Sequence, residues 1–173
     1  MISAVIVETR WWPELPSIIR DHLKYLNGYR LVIFGTYYNH YQLMKEFPDC
    51  HFVFTNDCNT ISDYNNLLKQ KHFWEVIPGE EILIFQYDSR LLKPGIEKFF
   101  EWDYVGAPWS FQDRGGNGGL SLRKKSIMLQ CLEMVSVISN MNEDMFFCDT
   151  MLNLNIGKLA PREVCKEFSC ESI

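Results

Sequence analysis

The sequence lacks several features that would assign it to a common functional class. Its six cysteines include no Cys-x-x-Cys pair and no companion histidines at zinc-finger spacing, so we expect reduced, mostly buried thiols. No Gly-x-Gly-x-x-Gly follows the first predicted strand, which disfavours a classical dinucleotide-binding turn. No long apolar run and no basic amino-terminal region are present, so we predict neither a membrane span nor a signal peptide and expect a cytoplasmic location.

An excess of positive charge is also missing. The net charge of -5 argues against electrostatic binding of nucleic acid or anionic lipid. Basic residues do cluster at Arg114 and at Arg123 to Lys125. Such a cluster suits a small anionic ligand, although a solvated loop and helix start is its commoner meaning.

The chain is long enough for one substantial core. It has 173 residues, of which 47% are hydrophobic, and we predict a single domain over residues 1–173. Residues 168–173 are typical of the entry into another strand, so we expect a short carboxyl-terminal segment beyond them.

Apolar runs of strand length alternate with helical periodicity through the first half of the chain. Strands are predicted at Val5 to Val7, Leu31 to Phe34, His51 to Thr55 and within Gly79 to Ser89. This spacing fits right-handed βαβ crossovers and predicts an α/β fold with a mostly parallel central sheet flanked by helices. The second half predicts helices over 96–102, over 126–138, after Asn142 and from Pro161, and a short strand over 103–107.

The strand within Gly79 to Ser89 carries the first candidate for ligand contact. Its apolar run suits a strand buried on both faces, and Gln86, Tyr87, Asp88 and Ser89 follow it. Ligands of open α/β sheets lie outside the carboxyl ends of the strands, so Asp88 is predicted to meet one, through a divalent cation on phosphate oxygens. An aspartate that begins a turn or caps a helix is the commoner interpretation of this stretch alone.

Three other polar stretches are candidates. Asp63, Tyr64 and Asn65 fall in the first turn of a predicted helix, where backbone amides favour anions, although Asp63 also suits a plain helix-terminal carboxylate. The glycine-rich segment 115–119 is predicted as a binding loop, with a flexible surface turn as the alternative. Glu143 and Asp144 begin another helix, as simple caps or, if that end faces the crevice, as a base.

Seven phrases in order carry a family resemblance. They are Glu8-Thr9-Arg10, Asp63-Tyr64-Asn65 with Phe73-Trp74, Phe85-Gln86-Tyr87-Asp88-Ser89, the segment 103–109, the segment 116–123, Asn142-Glu143-Asp144, and the segment 159–163. Together they resemble a largely uncharacterised group of glycosyltransferase-like domains from bacteria, fungi and large DNA viruses. The resemblance covers nearly the whole chain and implies a GT-A type, Rossmann-like sandwich.

The resemblance implies transfer of a hexosyl or deoxyhexosyl group from a nucleoside diphosphate sugar, by preference UDP-linked, to a glycan or other hydroxyl acceptor, with inversion. It also implies Mn²⁺ or Mg²⁺, which GT-A enzymes hold with an Asp-x-Asp motif. Here Asp88 matches the second aspartate, and Gln86 replaces the first with a neutral amide, so metal binding should be weak without the diphosphate. Such enzymes often add a histidine ligand near the carboxyl terminus, and no histidine follows His72.

The remaining implied roles concern the walls of the site. The resemblance places Glu8, Thr9 and Arg10 near the base and ribose, with Asp63, Tyr64 and Asn65 on the adjoining wall. It places Trp109 and the Asn117-Gly118-Gly119 segment on the sugar and acceptor side, although Trp109 equally suits the core. Asp144, ahead of Glu143, is the expected base.

Three functions remain open at this point. The first is the glycosyltransferase, which a viral member would provide in the host cytoplasm and which this chain would form alone or as one module of a larger enzyme. The second is a non-catalytic nucleotide-sugar or glycan-binding module, which Gln86 favours. The third is a nucleotidyltransferase, against which the lack of a glycine-rich basic loop after the first strand counts.

Overall fold

The computed structural model describes residues 2–137 and 140–170, and a six-stranded sheet lies at their centre. The strands are β1 (Ile2–Val7), β2 (Tyr29–Gly35), β3 (His51–Phe54), β4 (Glu81–Phe85), β5 (Tyr104–Pro108) and β6 (Gly115–Lys124). Their order is β3-β2-β1-β4-β6-β5. Only β6 runs opposite to its neighbours, pairing antiparallel with β4 and β5, while the pairs among β1 to β4 are parallel. The predicted α/β fold with a mostly parallel sheet is therefore confirmed.

Seven α-helices and one 3₁₀ turn are described beside this sheet. They are α1 (Leu15–Leu23), α2 (Tyr37–Glu46), α3 (Ile61–Leu68), α4 (Lys71–Glu75), the 3₁₀ turn Ile96–Phe99, α5 (Lys125–Met134), α6 (Glu143–Leu154) and α7 (Arg162–Phe168). Capping boxes begin α2 and α3, because Thr36 and Thr60 each face a short polar residue three positions later. None of the described helices has the length and apolar character needed to cross a bilayer.

Both faces of the sheet are buried. Side chains alternate along a strand, so Leu83 and Phe85 of β4 face one apolar cluster with α1 and α7. Ile82 and Ile84 face a second cluster that α3 to α6 complete. All four side chains have no exposed surface, which confirms β4 as a buried central strand.

The glycine-rich segment is the main correction. The sequence predicts a binding loop over residues 115–119, with a flexible surface turn as the alternative, whereas they form the first half of β6, with Gly115 and Gly116 buried. The glycines are needed because neighbours come close: a Cβ on Gly116, whose φ is 132°, would lie 2.9 Å from the Trp109 ring. A Cβ on Gly106 of β5 would collide with the Asn117 carbonyl, and the β5–β6 register shifts there.

The other differences concern element ends. The helix predicted over 96–102 is a 3₁₀ turn that ends at Phe99, and the helix predicted over 126–138 ends at Met134. Ile138 lies outside the described residues, as do residues 171–173 of the predicted final extended segment. Phe168, the first residue of that segment, belongs to α7.

Candidate functional site

The carboxyl ends of β1 and β4, the beginning of β6 and the first turn of α6 meet at one edge of the sheet. Phe85 pairs with Leu120, and the Gln86 amide donates to the Gly119 carbonyl at 3.0 Å. The Gly118 amide in turn donates to Asp144 Oδ2 at 3.1 Å. Four predicted site residues therefore lie together, although they span almost sixty positions of sequence.

Arg10 stands at the end of β1 in a fixed orientation. Its backbone N–H and its Nε donate to Glu8 Oε1, each at 2.9 Å, and its Nη2 donates to Oε2 at 3.0 Å. The Glu8 side chain is buried, whereas the Arg10 side chain is 54% exposed. This hydrogen bonding to Glu8 raises the pKa of Arg10, so the guanidinium is a permanent cation at the site.

Two aromatic rings flank the Arg10 guanidinium. Its central carbon lies 5.1 Å from the centre of the Trp12 ring and 5.2 Å from that of Tyr87. The two rings meet edge to face at 5.5 Å, and they join the end of β1 to the turn after β4. A preoriented guanidinium with aromatic neighbours suits phosphate oxygens or a flat ring.

The segment after β1 is held from behind by the start of α2. Asn39 Nδ2 donates to the Glu8 carbonyl at 2.6 Å and to the Arg10 carbonyl at 3.1 Å. Thr36 Oγ1 donates to the Thr9 carbonyl at 3.1 Å, while the buried Thr9 hydroxyl accepts from the Cys58 amide at 3.2 Å. Thr9 is thus a positioning residue, and Asn39 is one that sequence reasoning missed, although Thr36-x-x-Asn39 after a strand is a readable cap signal.

Asp63 closes the first turn of α3. Its Oδ2 accepts from the amides of Asn59 (3.2 Å) and Thr60 (2.9 Å) and from the Thr60 hydroxyl (2.8 Å). Hydrogen bonding by Thr60 lowers the pKa of Asp63. These contacts fit the helix-terminal interpretation of this carboxylate.

Asn65 and Tyr64 face the first turn of α6. Asn65 Nδ2 donates to Asn142 Oδ1 at 3.1 Å, and Asn65 Oδ1 accepts from the Glu143 amide at 2.9 Å. The Tyr64 hydroxyl is buried near the Gln86 side chain, and its burial raises its pKa. Asn65 therefore joins α3 to α6.

Glu143 is committed to a buried ion pair. Its carboxylate bonds both terminal nitrogens of Arg123, with Nη2 at 2.8 Å from Oε1. Arg123 has no exposed surface, packs 4.6 Å from the Tyr104 ring centre, and donates from Nε to Ser121 Oγ at 2.9 Å. A carboxylate in this position balances a buried cation, so we assign no proton transfer to Glu143.

Asp144 is in a different environment, although it is the next residue. It is half-buried, and its Oδ1 accepts from the Met145 amide at 2.7 Å while Oδ2 accepts from Gly118. Burial, with a smaller contribution from the charge of Glu143, raises the pKa of Asp144 to about 6. A carboxylate with such a pKa is matched to proton transfer near neutral pH.

Gly118 makes this contact possible. A Cβ at this position would collide with Glu143 Oε1 and lie 2.8 Å from Arg123 Nη2. Only glycine therefore allows the β6 backbone to approach the start of α6. Gly119 is similarly close to the Gln86 side chain, with its amide bonded to Asn117 Oδ1 at 2.9 Å.

The turn after β4 presents one carboxylate. Ser89 Oγ donates to the Gln86 carbonyl at 2.8 Å, and this tight turn leaves Tyr87 and Asp88 exposed. Across residues 2–137 and 140–170, no group of three or more His, Cys, Asp and Glu side chains is placed to hold a metal ion. Hard divalent cations take about six oxygen ligands, so these residues do not form a metal site by themselves. Metal binding at Asp88 stays a prediction.

Trp109 lies in the core. It is 3% exposed, and the Arg114 guanidinium lies 4.8 Å from its ring centre. Arg162 Nη1 donates to the Trp109 carbonyl at 2.9 Å and to the Gln112 carbonyl at 2.7 Å, which fixes the surrounding turn. The ring is therefore not available to stack on a sugar, and Trp109 is a core residue.

Comparison with known proteins assigns the chain to a family. The family described as "Protein of unknown function (DUF5672)" matches residues 44–173, so the chain belongs to it. No curated protein matches the sequence.

Solved structures resemble the fold. The apo-form glycosyltransferase GlyE of Streptococcus pneumoniae TIGR4 aligns with a TM-score of 0.53 and 7% identity, over 91% of this chain and 44% of GlyE. The 4-diphosphocytidyl-2C-methyl-D-erythritol synthase of Anaerococcus prevotii DSM 20548 aligns with a TM-score of 0.57 and 9% identity, over 95% of this chain and 92% of the synthase. This chain thus spans less than half of GlyE. At these identities the likeness shows the fold alone, and it confirms the predicted GT-A-like, Rossmann-type sandwich.

Proposed function

We propose that this DUF5672 member is a glycosyltransferase that moves a sugar from a nucleoside diphosphate sugar, UDP-linked in the first instance, to a hydroxyl of a glycan or other acceptor. The observation that carries the proposal is Asp144, a half-buried carboxylate with a pKa of about 6 at the same sheet edge as Gln86. The fold likeness to a glycosyltransferase supports it.

The donor is assigned to the β1 and β4 side of the edge. Arg10 is fixed by Glu8 and flanked by Trp12 and Tyr87, and it offers a cation to the diphosphate or a stacking surface to the base. Residues 63–65 would form the adjoining wall, with Asn65 as a positioning residue through its bond to the Glu143 amide. Asn117, Gly118 and Gly119 border the sugar and the acceptor.

A divalent ion, Mn²⁺ or Mg²⁺, would reach this site with the diphosphate, and Asp88 would be its one protein carboxylate. Such an ion neutralises charge on a departing diphosphate. The described residues do not fit a resident ion, so the steps below depend on protein groups alone.

The chemical step assigns one proton transfer to Asp144. Its carboxylate takes the proton of the acceptor hydroxyl, and the acceptor oxygen forms a bond to the anomeric carbon. The bond from that carbon to the diphosphate oxygen breaks, and the diphosphate leaves with the electron pair. A single displacement inverts the anomeric centre. The amides of Gly118 and Met145 orient the carboxylate for this role.

Two other functions have specific support. A non-catalytic nucleotide-sugar or glycan-binding module is favoured by the neutral Gln86. A nucleotidyltransferase is favoured by the likeness to the synthase. The absence of a glycine-rich basic loop after β1 counts against it, since Glu8 to Pro13 contains no glycine. A cytoplasmic location, and a role as one module of a larger enzyme, belong to the same proposal.

The first experiment is a thermal-shift panel of UDP, GDP, CDP and dTDP, each with and without Mn²⁺. A nucleotide that binds only the native state raises the melting temperature, and we expect UDP with Mn²⁺ to give the largest shift. Asp88→Ala should remove the Mn²⁺-dependent part of that shift. An undiminished shift in this variant would exclude Asp88 as the anchor.

The second experiment is donor turnover with a panel of glycan acceptors. Asp144→Asn should lower the rate by about 10²-fold or more while nucleotide binding is retained. Full activity of this variant would exclude Asp144 as the base. Binding without any turnover by the natural protein would favour the binding module, and release of pyrophosphate from a nucleoside triphosphate would favour the nucleotidyltransferase.

A further inference from the structure

A cavity of about 450 Å³ opens between residues 90–99 and the end of α7. It lies on the α7 face of the sheet, opposite α6 and Asp144, although two of its lining residues come from the turn after β4 and from β6. Arg90 follows Ser89 in the turn after β4, and Leu120 follows Gly119 in β6. The volume is within the range of pockets that take small organic ligands.

The inner wall of this cavity is apolar. Ile96, Phe99 and Leu120 are each less than 9% exposed and belong to the core beneath it. Phe168 of α7 meets Phe99 edge to face at 5.1 Å, which joins the two sides. Leu92 at the rim is 77% exposed, so apolar surface continues from the cavity to solvent.

The charges around the cavity have the opposite sign to the whole chain. Its lining includes Arg90, Lys93, Lys98 and Lys166, against the one carboxylate of Glu167, whereas the protein carries a net charge of -5. Glu167 pairs with Lys98 at 3.2 Å, and Lys166 pairs with Glu163 at 2.9 Å, so Arg90 and Lys93 supply the excess positive charge. Lys93 forms no ion pair within the described part of the chain, so its charge is available to a ligand.

We propose that this cavity binds a small amphipathic anion, with an apolar chain or ring against the inner wall and a phosphate or carboxylate group beside Lys93. The apolar wall supplies affinity and the excess of cations selects the sign of the head group. Binding itself does not depend on sugar transfer.

The test compares four probes by isothermal titration calorimetry at low salt, each below its micelle concentration. Decyl phosphate and decanoate carry the two anionic head groups, decyl glucoside has a neutral head, and inorganic phosphate lacks the tail. We expect both anionic amphiphiles to bind at least about fivefold more tightly than decyl glucoside, and phosphate alone to bind weakest. The stronger of the two anions then identifies the preferred head group. Equal affinity for the charged and neutral amphiphiles, or no binding, would overturn the proposal.

Variants locate the binding. Lys93→Glu should weaken decyl phosphate about tenfold, because reversal removes one attraction and adds one repulsion, and Lys158→Glu is the matched control on another exposed lysine. Leu92→Gln should weaken the decyl chain, whereas Leu152→Gln on α6 should not. Equal effects of test and control variants would place the ligand elsewhere. UDP is titrated in parallel to keep the two proposals apart. A protein that binds the anionic amphiphiles but not UDP would leave the cavity proposal intact.

Discussion

Asp144→Asn is predicted to make the protein more stable at pH 7, although it removes the proposed base. Burial raises the pKa of Asp144 from 3.8 to about 6, so the folded protein holds this proton more tightly than the unfolded chain does. Above pH 6 the folded state bears the cost of an ionised, half-buried carboxylate. Asparagine has no charge and can still accept from the Gly118 amide through its side-chain oxygen, but its NH2 group cannot accept from the Met145 amide as Asp144 Oδ1 does.

The magnitude follows from the pKa difference. Each pKa unit corresponds to about 1.4 kcal/mol, so a difference of about two units gives at most about 3 kcal/mol. Because Asp144 is partly exposed and the variant loses the bond from the Met145 amide, we expect an advantage of about 1–2 kcal/mol for the asparagine variant at pH 7. Protonation of Asp144 stabilises the folded state fully below pH 3.8, and this contribution is lost as the pH rises through 6. The advantage of the asparagine variant over the natural protein should therefore shrink as the pH is lowered from 7 to 4.

The assay is urea denaturation of both proteins at several pH values between 4 and 7, at constant ionic strength. Asp63→Asn is the control with the opposite sign, because hydrogen bonding by Thr60 lowers the pKa of Asp63. That variant should be less stable than the natural protein at pH 7, with the deficit shrinking at acid pH. Parallel curves for the natural protein and Asp144→Asn would refute the environment assigned to Asp144.

Three further predictions concern the same region. Glu143→Gln should lower the free energy of unfolding by about 3–5 kcal/mol in urea denaturation, because it leaves Arg123 buried without its counter-charge; a loss below about 1 kcal/mol would contradict the buried pair. Gly118→Ala should cost about 1–3 kcal/mol by overpacking against Glu143 and Arg123, whereas Gly95→Ser, with open space around it, tests only the strain of a positive φ. The transfer rate should fall as the pH drops below about 6, because Asp144 becomes protonated; a rate that stays constant down to pH 4.5 would argue for another base.

The parts of the fold that sequence predicts well are those that local patterns specify. The apolar run of β4 predicts a buried strand because it is short, follows the turn signal Pro78-Gly79, and is apolar at positions that face both sides of a sheet. The polar residues after it then lie at the ligand-binding edge as a consequence of topology. Asp144 was a candidate for a similar reason, since a helix start after a loop is readable from its caps.

The parts that sequence did not predict depend on contacts between distant segments. The basic cluster at Arg123 predicts either a site for a small anion or, more commonly, a solvated helix start, yet Arg123 is buried and pairs with Glu143 twenty positions later. The four glycines among residues 115–119 signal flexibility locally, yet here they permit close approach of β5, α6 and the Trp109 ring. Local composition cannot distinguish a glycine in a flexible turn from a glycine that is required because a Cβ would collide with a neighbouring segment.

Glu143 and Asp144 have different environments although they are neighbours in sequence. Two adjacent carboxylates at a helix start would be equivalent in solution, but Arg123 bonds only the first and is largely neutralised by it. The remaining attraction of Arg123 for Asp144 is then too weak to offset the burial of Asp144 and the repulsion by Glu143, so the pKa of the second carboxylate rises. Neutralising Arg123 by a substitution that also removes Glu143, such as the double variant Arg123→Met and Glu143→Leu, should therefore leave the pKa of Asp144 above its ordinary value, since burial is the larger cause. Carboxyl-carbon NMR titration of the double variant measures this directly, and a pKa near 4 would mean that the ion pair, and not burial, controls the proposed base.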